Sequence, residues 1–337
     1  MSTINRLSTA TALAGCFLAA SPLLHADAPL KVGTIAPENS VWARGLHEMG
    51  DAWRRRTNGR VSLRLFAGRG DSEEHLLRSL RISKTLQAAQ LSAVTLGNMD
   101  DAFKVFELPM FFESYEEVDR VLEKLGPLLE KRLEERELKL LHWGYAGWVH
   151  VFSRKPVRGV NDLKRLRLFT STGDDRLAKW YRENGFNPVP LDASHILTSL
   201  TTGMIDAIPV TPLSALLFRW SDQAPYMLNI GIAPLLGATV MSTDAWNRIP
   251  HADQQVMQEE AAKAAGRLRT DVPKLDSEAV DRMKAAKLTV TVGNVSEWRT
   301  AADQFGASMR NRLVPADVYD LALRERDAVR AGRSVAR

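Results

Sequence analysis

Among the 337 residues there is a single cysteine, Cys16, and it lies near the N-terminus. No disulfide can form within the chain, and a chain that loses its leader has no thiol for nucleophilic or redox chemistry. Phosphate-cradling motifs are missing too: no Gly-x-Gly-x-x-Gly or Walker A sequence follows a predicted strand. There is no Gly-x-Ser-x-Gly elbow to present a serine nucleophile. The seven histidines include no His-Glu-x-x-His and no paired ligand spacing, which argues against a zinc centre. His142 and His150 flank an aromatic run, where a lone histidine is ordinarily structural. Asp174-Asp175 reads as acids favoured at a helix N-terminus rather than a catalytic pair. Beyond the N-terminal stretch no run approaches about eighteen apolar residues, so the body carries no helical membrane span. Charge is nearly balanced. The net +5 falls to +4 when Met1 to Ala26 is removed, because that stretch holds Arg6 and no acid. No lysine-arginine block has the length of a polyanion-binding tail. The chain therefore reads as a non-enzyme, with no cofactor and no metal.

What is present is an ordinary folded composition, 45% hydrophobic and 25% charged, in a chain long enough for two domains. Met1 to Arg6 is short and basic, Leu7 to Ala20 is small and apolar, and Ser21 to Ala26 leads to Asp27. Those are the three zones of a secretory signal, with cleavage favoured after Ala26. A second reading stands beside it, since Leu13-Ala14-Gly15-Cys16 matches a lipobox whose cysteine would be acylated. The apolar sequence continues through Phe17-Leu18, so ordinary export to the periplasm is preferred.

Leu30 to Ile35 reads as a strand, Ser40 as the cap of a helix bearing Trp42, Leu46, Met49 and Trp53, and Val61 to Phe66 as a second strand. That is a βαβ unit and implies a sheet parallel in part. Arg69-Gly70-Asp71 reads as a glycine-rich loop rather than an adhesion motif. Ala89 to Leu96 is expected to be a buried strand, and Tyr115 to Leu138 a helix interrupted at Gly126-Pro127. Lys139 to Gly144 continues into the aromatic run Tyr145, Trp148 and Phe152. A helix is expected over Leu191 to Leu200, then an extended Asp206 to Pro212. From Pro250 to about Lys287 the pattern is helical, with Pro273 expected to kink or divide it. Leu288 to Gly293 is a last strand, followed by two amphipathic helices.

The order of these pieces resembles the DctP-type solute-binding proteins of TRAP transporters over essentially the whole mature chain. The likeness is carried by Thr34 to Trp42, Thr57-Asn58-Gly59-Arg60-Val61, and Leu108-Pro109-Met110-Phe111-Phe112 with Tyr115-Glu116-Glu117. It continues through Pro156 followed by Asp162-Leu163-Lys164, then Asn187-Pro188-Val189-Pro190 and Thr202-Gly203-Met204-Ile205-Asp206. The resemblance implies an α/β fold of the Venus-flytrap kind: two lobes, an interlobe ligand cleft and a long helix spanning both. It assigns residues 27–147 with about 232–272 to one lobe, and 148–231 with about 273–337 to the other. It also implies delivery of a small molecule to membrane permease subunits.

One position departs from the pattern. After the Asp-Leu-Lys triplet the family keeps an arginine that grips a substrate carboxylate bidentately. Without a gap that place falls on Phe169. A one-residue slip would bring Arg167 there, at the expense of the strand alternation of Leu166 and Leu168. A second basic position falls near Trp148, and the family's Gln-Glu-Asn-Pro appears as Ile208-Pro209-Val210-Thr211-Pro212. Charged and amide groups thus give way to apolar ones. The expected ligand is hydrophobic or amphipathic, lined by Phe169, Trp148, Tyr145 and Pro209, with Asn98, Thr211 and Asn187 serving polar groups. Arg167 gripping an organic acid, and a sensory or scaffold protein holding a partner in the cleft, are the alternatives. Arginine-lacking members further imply a helical-repeat periplasmic partner.

Overall fold

The computed structural model describes residues 28–68, 72–173 and 175–335. The leader with Cys16, the Arg69-Gly70-Asp71 tripeptide and Asp174 lie outside the described residues.

β1 (Leu30–Thr34), α1 (Val41–Arg56) and β2 (Leu63–Ala67) form the expected βαβ unit with parallel strands. Ser40 caps α1 by accepting from the Ala43 N–H, and the helix buries Trp42, Leu46, Met49 and Trp53. α2 (Glu73–Arg81), β3 (Ala88–Ser92) and α3 (Ala93–Met99) follow. The strand anticipated through Leu96 therefore stops four residues early. Ser92 turns the chain by capping α3, while the Glu73 carboxylate accepts from both its N–H (2.9 Å) and its hydroxyl (2.6 Å). A long-range acid, invisible to periodicity, ends the strand.

A 3₁₀ segment, Asp101–Glu107, leads to α4 (Tyr115–Glu134), which runs unbroken through Pro127. The interruption expected at Gly126-Pro127 does not occur. Proline costs about 3 kcal/mol inside a helix, but Val118, Val121, Leu125, Leu129 and Leu133 along one face are all fully buried. Burying five such side chains, at roughly 1.5–3 kcal/mol each, outweighs that cost.

β4 (Leu138–Ser153) is the pivot of the architecture. After it come α5 (Val160–Lys164), β5 (Arg167–Ser171), α6 (Asp175–Glu183), β6 (Asn187–Leu191), α7 (Ile196–Thr202), β7 (Ala207–Val210), α8 (Pro212–Leu217) and β8 (Tyr226–Leu228). The helix expected from Leu191 is deferred to Ile196, because Asp192 first caps a 3₁₀ turn over Ala193–His195. β9 (Ala233–Ser242), α9 (Thr243–Asn247), α10 (His251–Ala285), β10 (Thr289–Thr291), α11 (Val295–Met309) and α12 (Ala316–Val335) complete the chain.

The strand order is β2-β1-β3-β9-β4-β7-β5-β6, with β8 beside the end of β4 and β10 outside β8. β4 pairs with β9 from Leu138 to Val149, then with β7 from His150 to Ser153. One strand thus crosses between two lobes, the first built on β2-β1-β3 and the second on β7-β5-β6. α10 spans both. Its first half buries Met257, Ala261 and Ala264 with α1, and Leu268, Val272, Ala279 and Met283 join the central apolar cluster. It is one continuous helix of 35 residues through Pro273, so the division anticipated there is absent. The same reason applies as for Pro127: buried residues on both sides of the proline hold the helix together.

Candidate functional site

In sheets built from βα units, ligands collect outside the carboxyl ends of the parallel strands. In the first lobe those ends are Thr34 of β1 and Ser92 of β3. A cavity of about 610 Å³, partly open to solvent, lies there. Its walls come from the β1–α1 loop, β3, the crossing strands β4 and β9, Leu268 of α10, and Ser214 and Phe218 at α8 of the second lobe. Trp42, Tyr145, Phe218, Leu235, Leu236 and Leu268 make it mainly apolar.

The polar lining is spare. Among the described residues no lysine or arginine lines the cavity, and the acidic group that does is Glu73. Burial raises the Glu73 carboxyl, while donors from Ser92 and Thr95 pull it the other way. His142 is pushed below the ordinary imidazole range by burial, against a hydrogen bond to the Trp143 carbonyl.

The expected site residues scatter around this cavity. Tyr145 lines it, but its hydroxyl is engaged by Asp119, which also pairs with Arg269. Tyr115 packs edge-on against both Tyr145 (4.7 Å) and Trp148 (5.3 Å), and a side chain at Gly231 would collide with the Trp148 indole. Asn98 donates to the Thr172 carbonyl at 3.0 Å, joining α3 of the first lobe to the loop after β5. Arg176 pairs with Asp101 on the same side. Thr211 is fully buried and caps α8, with its hydroxyl bonded to Ser214 (2.9 Å). Pro209 sits within β7 opposite Val151.

β5 separates the remaining candidates. Arg167 begins the strand, opposite the equally exposed Asn187 of β6. Four residues at roughly 3.3 Å each put these two about 13 Å from the carboxyl ends at Ser171 and Leu191. The Arg167 guanidinium forks onto Asp206, Nε to Oδ2 at 2.7 Å and Nη2 to Oδ1 at 2.8 Å. That side-chain bond holds Asp206 below the usual carboxylate range, outweighing its partial burial. Phe169, two residues on, is buried in the central cluster with Tyr145, Phe152 and Trp180. Leu168 between them faces the other cluster, with Val151, Leu163 and Trp298. The period-two alternation is intact.

One residue that sequence reasoning missed joins the lobes. Asp276 of α10 accepts from the Trp148 N–H and from the Leu213 N–H of α8, each at 2.9 Å. It packs beneath Gly147, whose φ of +120° and lack of Cβ let the carboxylate approach. Burial pushes this carboxyl up to about 6 despite the two N–H donors. A lone acid within a long amphipathic helix carries no sequence signal for such a role.

Comparison with known proteins supplies a family. The model of bacterial extracellular solute-binding protein family 7, DctP, matches residues 32–312. The 2,3-diketo-L-gulonate-binding periplasmic protein of Escherichia coli is 24% identical over 268 residues, covering 78% of this chain and 80% of that protein. An uncharacterized Haemophilus influenzae protein is 26% identical over 209 residues, 61% of this chain and 62% of its own length. In structure, a TRAP periplasmic solute-binding protein of Xanthobacter autotrophicus bound to β-D-galacturonate superposes with a TM-score of 0.81. It is 17% identical, and the match covers 88% of this chain and 99% of that one.

Proposed function

Because the chain belongs to bacterial extracellular solute-binding protein family 7, a family of binding proteins rather than enzymes, we propose that it is the exported solute receptor of a TRAP-type transporter for a hydrophobic or amphipathic small molecule. It works in the periplasm, closing its lobes about β4 and β9 and presenting the solute to membrane permease subunits. The observation that carries the ligand class is the cavity lining, which among the described residues holds Glu73 and no lysine or arginine. A carboxylate buried there would meet no cation among the described residues, at a cost of several kcal/mol that apolar contacts do not return. Phe169, which the ungapped resemblance sets at the carboxylate-gripping place, is buried in the central cluster, and Arg167 lies at the far end of β5 on Asp206; both support the same reading.

The competing reading is an organic-acid receptor, and the ligands named for the relatives favour it: 2,3-diketo-L-gulonate for one and galacturonate for the other. Calorimetric titration of the purified protein with galacturonate and with succinate separates the two. The proposal expects no heat of binding up to millimolar concentration. A micromolar Kd for either acid would return the protein to the acid receptors.

A further inference from the structure

Four polar side chains cross the floor of the cavity in one row, one from each of β1, β3, β9 and β4. Gln90 aligns with Thr239, and Thr239 with His142, while Thr34 donates its hydroxyl to Gln90 Oε1 at 3.0 Å. All four line the cavity. Thr34 and Gln90 therefore partner each other, and Thr34 Oγ1 also accepts from the Ala36 N–H.

The other two differ. Thr239 is 1% exposed and its hydroxyl has no hydrogen-bond partner among the described residues. An unmet buried hydroxyl is costly and calls for an explanation. His142, 6% exposed, places Nδ1 3.0 Å from the Trp143 carbonyl oxygen. A carbonyl accepts and never donates, so the proton sits on Nδ1. In the neutral ring Nε2 is then a bare acceptor. Directly opposed residues of an antiparallel pair have Cα atoms only about 4.5–5.5 Å apart. One ligand atom can reach both groups.

We propose that Thr239 and His142 form a recognition point for a hydroxyl group on an otherwise apolar, uncharged ligand. This rests on the reading of the cavity as the solute site. A hydroxyl is the simplest group that both donates, to His142 Nε2, and accepts, from Thr239 Oγ1. An ether oxygen only accepts and leaves Nε2 unmet. A carboxylate only accepts, and sets its lone pairs against Nε2. An ammonium only donates and leaves the Thr239 hydroxyl proton unmet, while Glu73 Oε2 already accepts from Ser92 and Thr95.

The test is titration of the full chain with 1-octanol, 1-methoxyoctane, octanoate and octylamine, which share an apolar chain and differ in the head. The expected result is 1-octanol binding about 10-fold tighter than the ether, and tighter than either charged probe. Thr239→Val should weaken 1-octanol and the ether alike, since both accept from Oγ1, and should leave the margin between them, which His142 Nε2 supplies. As a readout that needs no variant, the ¹⁵N resonance of His142 Nε2 should move on adding 1-octanol and stay in place with the ether. Equal affinity for alcohol and ether with an unmoved resonance overturns the recognition point and leaves the apolar solute site standing. Tightest binding by octylamine overturns the hydroxyl assignment. No binding by any probe, or tightest binding by octanoate, overturns both.

Discussion

The two lobes finish their parallel strands differently. At the ends of β1 and β3 the first lobe leaves a cavity, floored by Thr34, Gln90, Thr239 and His142. The second lobe fills its interior at β5 and α6 with Phe169 and Trp180, and Thr211 at the end of β7 consumes its own hydroxyl on Ser214. The contrast teaches where room for a solute exists: against the first lobe and the crossing strands, with α8 of the second lobe as its cover. The Arg167 guanidinium on β5 is not among the cavity-lining residues and holds the loop before β7 through Asp206.

The largest effect should come from breaking the filled side. Phe169→Ala is expected to cost about 3–5 kcal/mol in urea unfolding, the range for removing a buried phenylalanine. A loss under about 1 kcal/mol would mean that the ring hangs over open space, and the two lobes would then be alike.

Next comes the joint between the lobes. Asp276 titrates near 6 in the folded protein against an ordinary 3.8, because burial disfavours its charge. Between those values the native state holds a proton that the unfolded chain has lost. The contribution of this group to stability is therefore full below about pH 4 and disappears as pH rises through about 6, a swing on the order of 3 kcal/mol. Tyr115 faces the same carboxylate from α4, with its own hydroxyl pushed up by burial and by that negative charge, and stays neutral throughout. Asp276→Asn cannot titrate, so the difference in unfolding free energy between pH 4 and pH 7.5 should shrink by about that swing. An unchanged pH dependence would show a solvated carboxylate and an open joint.

The smallest effect should come from Arg167→Ala. Its side chain is 44% exposed at the entering end of β5, so the unfolding midpoint should move little and solute binding not at all. Lost binding would place this arginine in the site after all and remove the contrast between the two ends of the strand.

Much of this was legible in the sequence because it is local. Ser40 before an apolar stripe announced α1, and the β5 alternation announced that Leu168 and Phe169 face opposite ways. The long helix was visible from its period, although prolines 127 and 273 misled: local propensity was overruled by buried faces that only the assembled core supplies. The cavity floor was not legible. His142 was noticed beside an aromatic run and taken as structural, and Thr34, Gln90 and Thr239 are unremarkable until four strands pair and bring them into one row. Asp276 was hidden for the same reason, since its partners lie more than sixty residues away in the chain.

The most direct measurement is organic extraction of freshly purified protein followed by mass spectrometry of what it carried. A neutral, largely apolar molecule bearing a hydroxyl is the predicted result. A sugar acid or other carboxylate recovered in stoichiometric amount would contradict the account.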